Sequence, residues 1–86
     1  MKVGIIGLGY VGLPLAKAFA DAGCEIVGID TDPGKIADLN SGRSYIEDVD
    51  ADAVAALSER GTFTGDYAAL SDCDAVIIAV PTPLTP

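Results

Sequence analysis

Residues 3–16 read VGIIGLGYVGLPLA, an apolar run interrupted by four glycines and almost without polar side chains. The preceding and opening residues, KVGII (2–6), are short and β-branched and end at a glycine, which predicts a buried strand. From about Tyr10 to Ala22 the period changes. Val11, Leu15, Ala18, Phe19 and Ala22 recur at helical spacing and form the expected apolar face. Pro14 falls in the first helical turn, where a missing N–H does no harm, and Gly23 stops the helix. Between strand and helix, Gly7, Gly9 and Gly12 spell G-x-G-x-x-G. The pattern alone is weak, but this placement is the one a phosphate turn requires. Gly7 lets the chain turn off the strand, Gly9 lets a pyrophosphate approach the backbone, and Gly12 lets the helix pack close to the sheet. The helix N-terminus adds N–H groups and a partial positive charge.

The rest of the chain continues the alternation. EIVGID (25–30) predicts a second strand. Asp32 offers an N-cap and Pro33 the first position of a helix with Ile36 and Leu39 facing inward, ended by NSG (40–42). Asp50 caps a third helix that turns Val54 and Leu57 inward and stops at Gly61. TFT (62–64) is a short strand, Asp66 caps a helical turn in YAAL, and DAVIIAV (74–80) is a fully apolar strand stopped by PTPLTP. Apolar strands alternating with amphipathic helices predict an α/β fold, a Rossmann-like half. Its four-stranded parallel sheet has order 3-2-1-4 and helices on both faces. The whole chain, 1–86, reads as a single domain.

Asp30 is the second determinant, 18 residues past Gly12 at the end of the second strand. Either it begins the DTDP turn, or its carboxylate accepts the hydroxyls of an adenosine ribose. The second reading favours NAD over NADP, because a carboxylate repels a 2′-phosphate. Lys35, in the first turn of the next helix, reads from its position as a solvated surface lysine.

Composition narrows the partners. The formal net charge is −8 with no His, and the basic residues Lys2, Lys17, Lys35, Arg43 and Arg60 are scattered. This disfavours nucleic acid and anionic membranes. The acids of EDVDAD (47–52) read as a solvated loop and helix start, and no metal-ligand spacing is present. Cys24 and Cys73 form no CxxC pair; they read as small buried thiols and fit a cytoplasmic setting. Lys2 ahead of an apolar run imitates a secretion signal, but the glycines, Pro14 and the lone basic residue argue against it.

The segments GIIGLGYVGLPLA, GIDTDPGKI, SYIEDV and IIAVPTPL resemble the N-terminus of UDP-glucose/GDP-mannose-type nucleotide-sugar dehydrogenases, over residues 2–86. SYIED looks like the branch acting on UDP-N-acetyl-hexosamines. The resemblance implies NAD as cofactor and oxidation of the C6 alcohol of a nucleotide sugar to a carboxylate. It also implies that the backbones of Tyr10 and Val11 line the pyrophosphate turn, that Asp30 and Lys35 hold the adenosine ribose, and that Thr82 reaches the cofactor. Thr82 otherwise reads as a plain turn residue. The family's catalytic cysteine, lysine and asparagine belong to later regions, and Cys24 and Cys73 do not match them. The expectation is therefore an NAD-binding part with no catalytic residue of its own, truncated relative to the full-length enzyme, which alone would take the nucleotide sugar. The alternative is a stand-alone half-Rossmann nucleotide-binding or scaffold module. In either case the apolar strand Ala75–Val80 is expected to present an open edge that invites self-association.

Overall fold

The computed structural model describes residues 1–45 and 49–79. Its central strand β1 (Lys2–Ile6) pairs in parallel with β2 (Glu25–Ile29), in register from Lys2↔Glu25 to Ile6↔Ile29. Strand β3 (Gly61–Thr64) lies outside β2, and β4 (Ala75–Ile78) lies on the far side of β1, with Val3↔Ala75 and Ile6↔Ile78 in register. The order is β3-β2-β1-β4, as the alternation of elements predicts.

Residues that pair across parallel strands point to the same face. One face carries Val3, Ile5, Ile26 and Phe63. These join the main core with Leu13, Ala16 and Ala20 of α1 (Gly12–Asp21), Leu39 of α2 (Pro33–Asn40), and Val54 and Leu57 of α3 (Ala51–Arg60). The other face carries Val27 and Ile29, both buried, and Val76 and Ile78, both exposed. Among the described residues its helical cover is a single 3-10 turn, η1 (Tyr67–Leu70), whose Leu70 lies over Gly4. Helical cover is thus present on both faces but is heavy on one and slight on the other.

Local chemistry accounts for the boundaries. Asp32 caps α2 by accepting from the Gly34 N–H at 2.8 Å, with Pro33 in the first turn, and Asp50 caps α3 by accepting from the Ala53 N–H at 2.8 Å. Helices α1 and α2 both end on a left-handed glycine. Beyond α1, Gly23 and Cys24 donate to the carbonyls of Ala20 and Phe19; beyond α2, Gly42 and Arg43 donate to Leu39 and Asp38. Helix α3 runs into β3 without a loop, Gly61 serving as both helix cap and first strand residue.

The expected apolar face of α1 is corrected. Its fully buried positions are Gly12, Leu13, Ala16 and Ala20; of the expected face Leu15 and Phe19 pack partly buried against the core, whereas Val11, Ala18 and Ala22 are exposed. The segment is apolar nearly all round, so periodicity does not choose a face. The close approach of Gly12 to the end of β1 does. A second close approach lies in β2, where a Cβ on Gly28 would stand 2.5 Å from the Phe63 ring. Gly28→Ala should therefore cost about 1–3 kcal/mol through overpacking. Phe63→Leu added to it should recover part of that loss; urea unfolding of both variants checks the pair.

Candidate functional site

The carboxyl ends of β1 and β2 meet at the glycine turn. Gly7 adopts φ 96° and donates its N–H to the Ile29 carbonyl at 2.7 Å, which ties the turn to the neighbouring strand end. A Cβ on Gly12 would stand 1.6 Å from the Gly7 carbonyl oxygen, so only glycine lets α1 start there. Gly9 is different. A Cβ on it would meet nothing within 4 Å, and its φ is not positive. Neither packing nor backbone conformation asks for glycine at 9. An atom added there would project into open space at the rim of a cleft, where a ligand backbone contact would need the room.

That cleft has a volume of about 720 Å³, well within the range of small-molecule sites. Its lining includes the turn from Gly7 to Val11, Asp30, Lys35 and Tyr67. It opens at the carboxyl ends of the strands, beside the point where strand order reverses between β1 and β4. Tyr10 and Val11 overhang it, 79% and 62% exposed. The N-terminus of α1 has no side-chain cap, in contrast to the aspartate-capped α2, α3 and η1, and its first turn holds no acidic residue. A capping carboxylate there would compete with an incoming phosphate.

Asp30 follows β2 directly, and its side chain is only 11% exposed. Its two oxygens accept from the Leu8 N–H and the Asp32 N–H, each at 2.9 Å. Asp30 thus begins the DTDP turn, the first of its two sequence readings, and it also braces the glycine turn. Each oxygen retains acceptor capacity for a ribose hydroxyl. Lys35 reaches back to within 4.0 Å of the same carboxylate, bringing a cation to an otherwise acidic rim. Thr82 lies outside the described residues.

Two residues of the site escaped sequence reasoning. Tyr67, half exposed, lines the cleft from the first position of η1. The strand-end rule could have found it, since it closely follows β3. Tyr45 donates its hydroxyl to the Leu8 carbonyl at 2.6 Å, and no local pattern announces that contact. Both cysteines are free and half-buried, and they precede the first residues of β2 and β4, at the amino ends of the strands, away from the cleft. Burial pushes the Cys73 thiol upward, the reverse of what a nucleophilic thiolate needs. Among the described residues no cluster of His, Cys, Asp or Glu is fit to hold a metal, and no helix is long and apolar enough to cross a membrane.

A family model, the NAD binding domain of the UDP-glucose/GDP-mannose dehydrogenase family, matches residues 1–86. The chain is 42% identical over 84 residues to UDP-N-acetyl-D-glucosamine 6-dehydrogenase of Pseudomonas aeruginosa, covering 98% of this chain and 19% of that enzyme. It is 39% identical over 90 residues to UDP-glucose 6-dehydrogenase of Haloferax volcanii, covering 99% and 20%. Among solved structures, a UDP-glucose dehydrogenase from Pyrobaculum islandicum superposes with a TM-score of 0.87 at 37% identity, over 99% of this chain and 21% of that one. A ternary complex of GDP-mannose dehydrogenase from Pseudomonas aeruginosa gives 0.82 at 36%, over 96% and 20%. The chain spans about a fifth of the length of these relatives.

Burial, and then the negative charges of Asp30, Asp38 and Asp32, push the Tyr45 hydroxyl far above the ordinary tyrosine range. The folded chain holds this proton longer than the unfolded chain does. Stability from Tyr45 is therefore complete below the unfolded value of about 10 and is lost as pH rises through the higher folded value. Alkaline titration followed by tyrosinate absorbance should show a late-ionising step that is missing from Tyr45→Phe.

Proposed function

This chain belongs to the UDP-glucose/GDP-mannose dehydrogenase family as its NAD binding domain, and we propose that it is the cofactor-holding part of a nucleotide-sugar 6-dehydrogenase. When bound, NAD supplies the hydride acceptor for oxidation of the sugar C6 alcohol towards a carboxylate. The residues of this chain bind and orient it. The pyrophosphate rests on the turn Gly7–Gly12 and the open N-terminus of α1, with the Tyr10 and Val11 backbones alongside. The ribose hydroxyls of the adenosine donate to Asp30, with Lys35 beside them, and Thr82 contributes from beyond the described residues. The substrate we assign is a UDP-N-acetyl-hexosamine, on the strength of SYIEDV. The nucleotide sugar and the catalytic residues belong to other regions of such an enzyme. Free thiols and the use of NAD accord with a cytoplasmic setting.

The observation that carries this reading is Gly9, a glycine that the fold itself does not require. Gly9→Ala should leave unfolding within about 1 kcal/mol of the parent, in the stabilising direction. It should also weaken NAD binding at least about tenfold by calorimetry. The parent should prefer NAD to NADP, and Asp30→Ala should weaken NAD binding. Failure of the parent to bind either nucleotide would leave a non-binding scaffold as the better description.

The sheet edge supports a second part of the proposal. Among the described residues strand β4 pairs with β1 alone, and Val76 and Ile78 are 45% and 70% exposed. We propose that two copies associate along this edge, through the segment that sequence places at Ala75–Val80. Sedimentation of the chain should show a concentration-dependent dimer, and Ile78→Lys should shift it to monomer; a parent that stays monomeric at high concentration removes this part.

A further inference from the structure

The peptides on either side of Leu8 are held from outside the turn. Leu8 stands between Gly7 and Gly9 with its side chain fully buried. Its N–H donates to Asp30 and its carbonyl accepts from Tyr45, at 2.9 and 2.6 Å. Those two groups belong to successive peptide planes, so the pair fixes the orientation of both. In a trans peptide the carbonyl and the following N–H point in opposite directions. By drawing the Leu8 carbonyl to itself, Tyr45 turns the Gly9 N–H away from its own side of the turn. Tyr45 does not line the cleft formed by Gly7–Val11 and Asp30; it bounds a smaller hollow of about 430 Å³ with Gly9, Lys35 and Asp38. Lys35 holds the ring in place, its ammonium 5.9 Å from the ring centroid while remaining 4.0 Å from the Asp30 carboxylate. Leu8, Tyr45, Lys35 and Asp30 therefore form a closed circuit that joins the ribose-binding carboxylate to the phosphate turn.

Resting on the NAD-binding reading above, we propose that Tyr45 is a positioning residue of the cofactor site: its hydroxyl presets the Leu8–Gly9 peptide so that the Gly9 N–H is presented to the pyrophosphate before the ligand arrives. A donor fixed in advance spares the bound state the cost of ordering it. Burial of the hydroxyl keeps it protonated and donating. The role is specific to phosphate-bearing ligands, because the Tyr45 hydroxyl bonds to the Leu8 carbonyl of the turn, whereas the Asp30 carboxylate bonds to the Leu8 and Asp32 N–H groups.

The test compares the parent chain with Tyr45→Phe, which removes one oxygen and keeps the ring. Calorimetry with NAD and ADP-ribose should show the variant about five- to tenfold weaker, the scale of one lost hydrogen bond. NMR titration with adenosine, which carries no phosphate, should give affinities within about twofold of each other, since the ribose contacts are untouched. In the unliganded variant the Gly9 amide resonance should move while the cooperative unfolding transition persists. NAD affinity unchanged in Tyr45→Phe, with the parent binding NAD, overturns the positioning role alone. Parallel losses for adenosine and NAD overturn it too, by showing a general structural effect. A parent that binds no NAD removes the function reading and this inference together.

Discussion

The carbonyl of Gly7 and the backbone of Gly12 lie so close that no side chain fits between them. This contact brings α1 onto the sheet after only five intervening residues beyond β1, which aims Leu13, Ala16 and Ala20 into the core. The Gly7 N–H bonds to the last residue of β2, so the turn is anchored to the strand end from which Asp30 emerges. Core and ligand cleft therefore share one piece of backbone. In a domain of this size, where buried area is scarce, the packing that holds the fold also sets the geometry of the site.

The site has to attract an anion on a chain of net charge −8. Global charge opposes that, and the cleft itself contains Asp30 and Asp32. The favourable field is local. It comes from the open N-terminus of α1, from backbone N–H groups at the turn and from Lys35. These aspartates cap α2 or brace a loop, and among the α-helices of the described residues α1 lacks an aspartate cap.

Much of this was legible in sequence for a physical reason. The strands of a parallel sheet are continuously apolar, Gly7 and Gly12 occupy backbone positions that few other residues tolerate, and Asp30 is a charged residue that directly follows an apolar strand. The apolar face of α1 was not legible, because alanines and leucines surround that helix and only the contact at Gly12 chooses a side. Tyr45 was invisible for a different reason. Its partner is a main-chain oxygen 37 residues earlier, and a backbone acceptor leaves no mark in the sequence. Tyr67 lay between these cases, identifiable from its place after a strand end but carrying no motif. The cofactor role of Thr82, in VPTPL, came through family resemblance, and Thr82 lies outside the described residues.

In the proposed site Asp30 carries two duties on one carboxylate, and this bears on how the domain can diversify. A lineage moving towards a phosphorylated cofactor would have to discard the negative charge at position 30. In this chain that step also strips the acceptor from the Leu8 N–H, beside a side chain with no solvent exposure. An orphaned buried donor costs about 1–3 kcal/mol, a large share of the stability of a small domain. The proposed preference for NAD is consequently entrenched. The path to a different one passes through a second substitution that supplies a new acceptor, and that substitution has to arise first or together with the loss of Asp30.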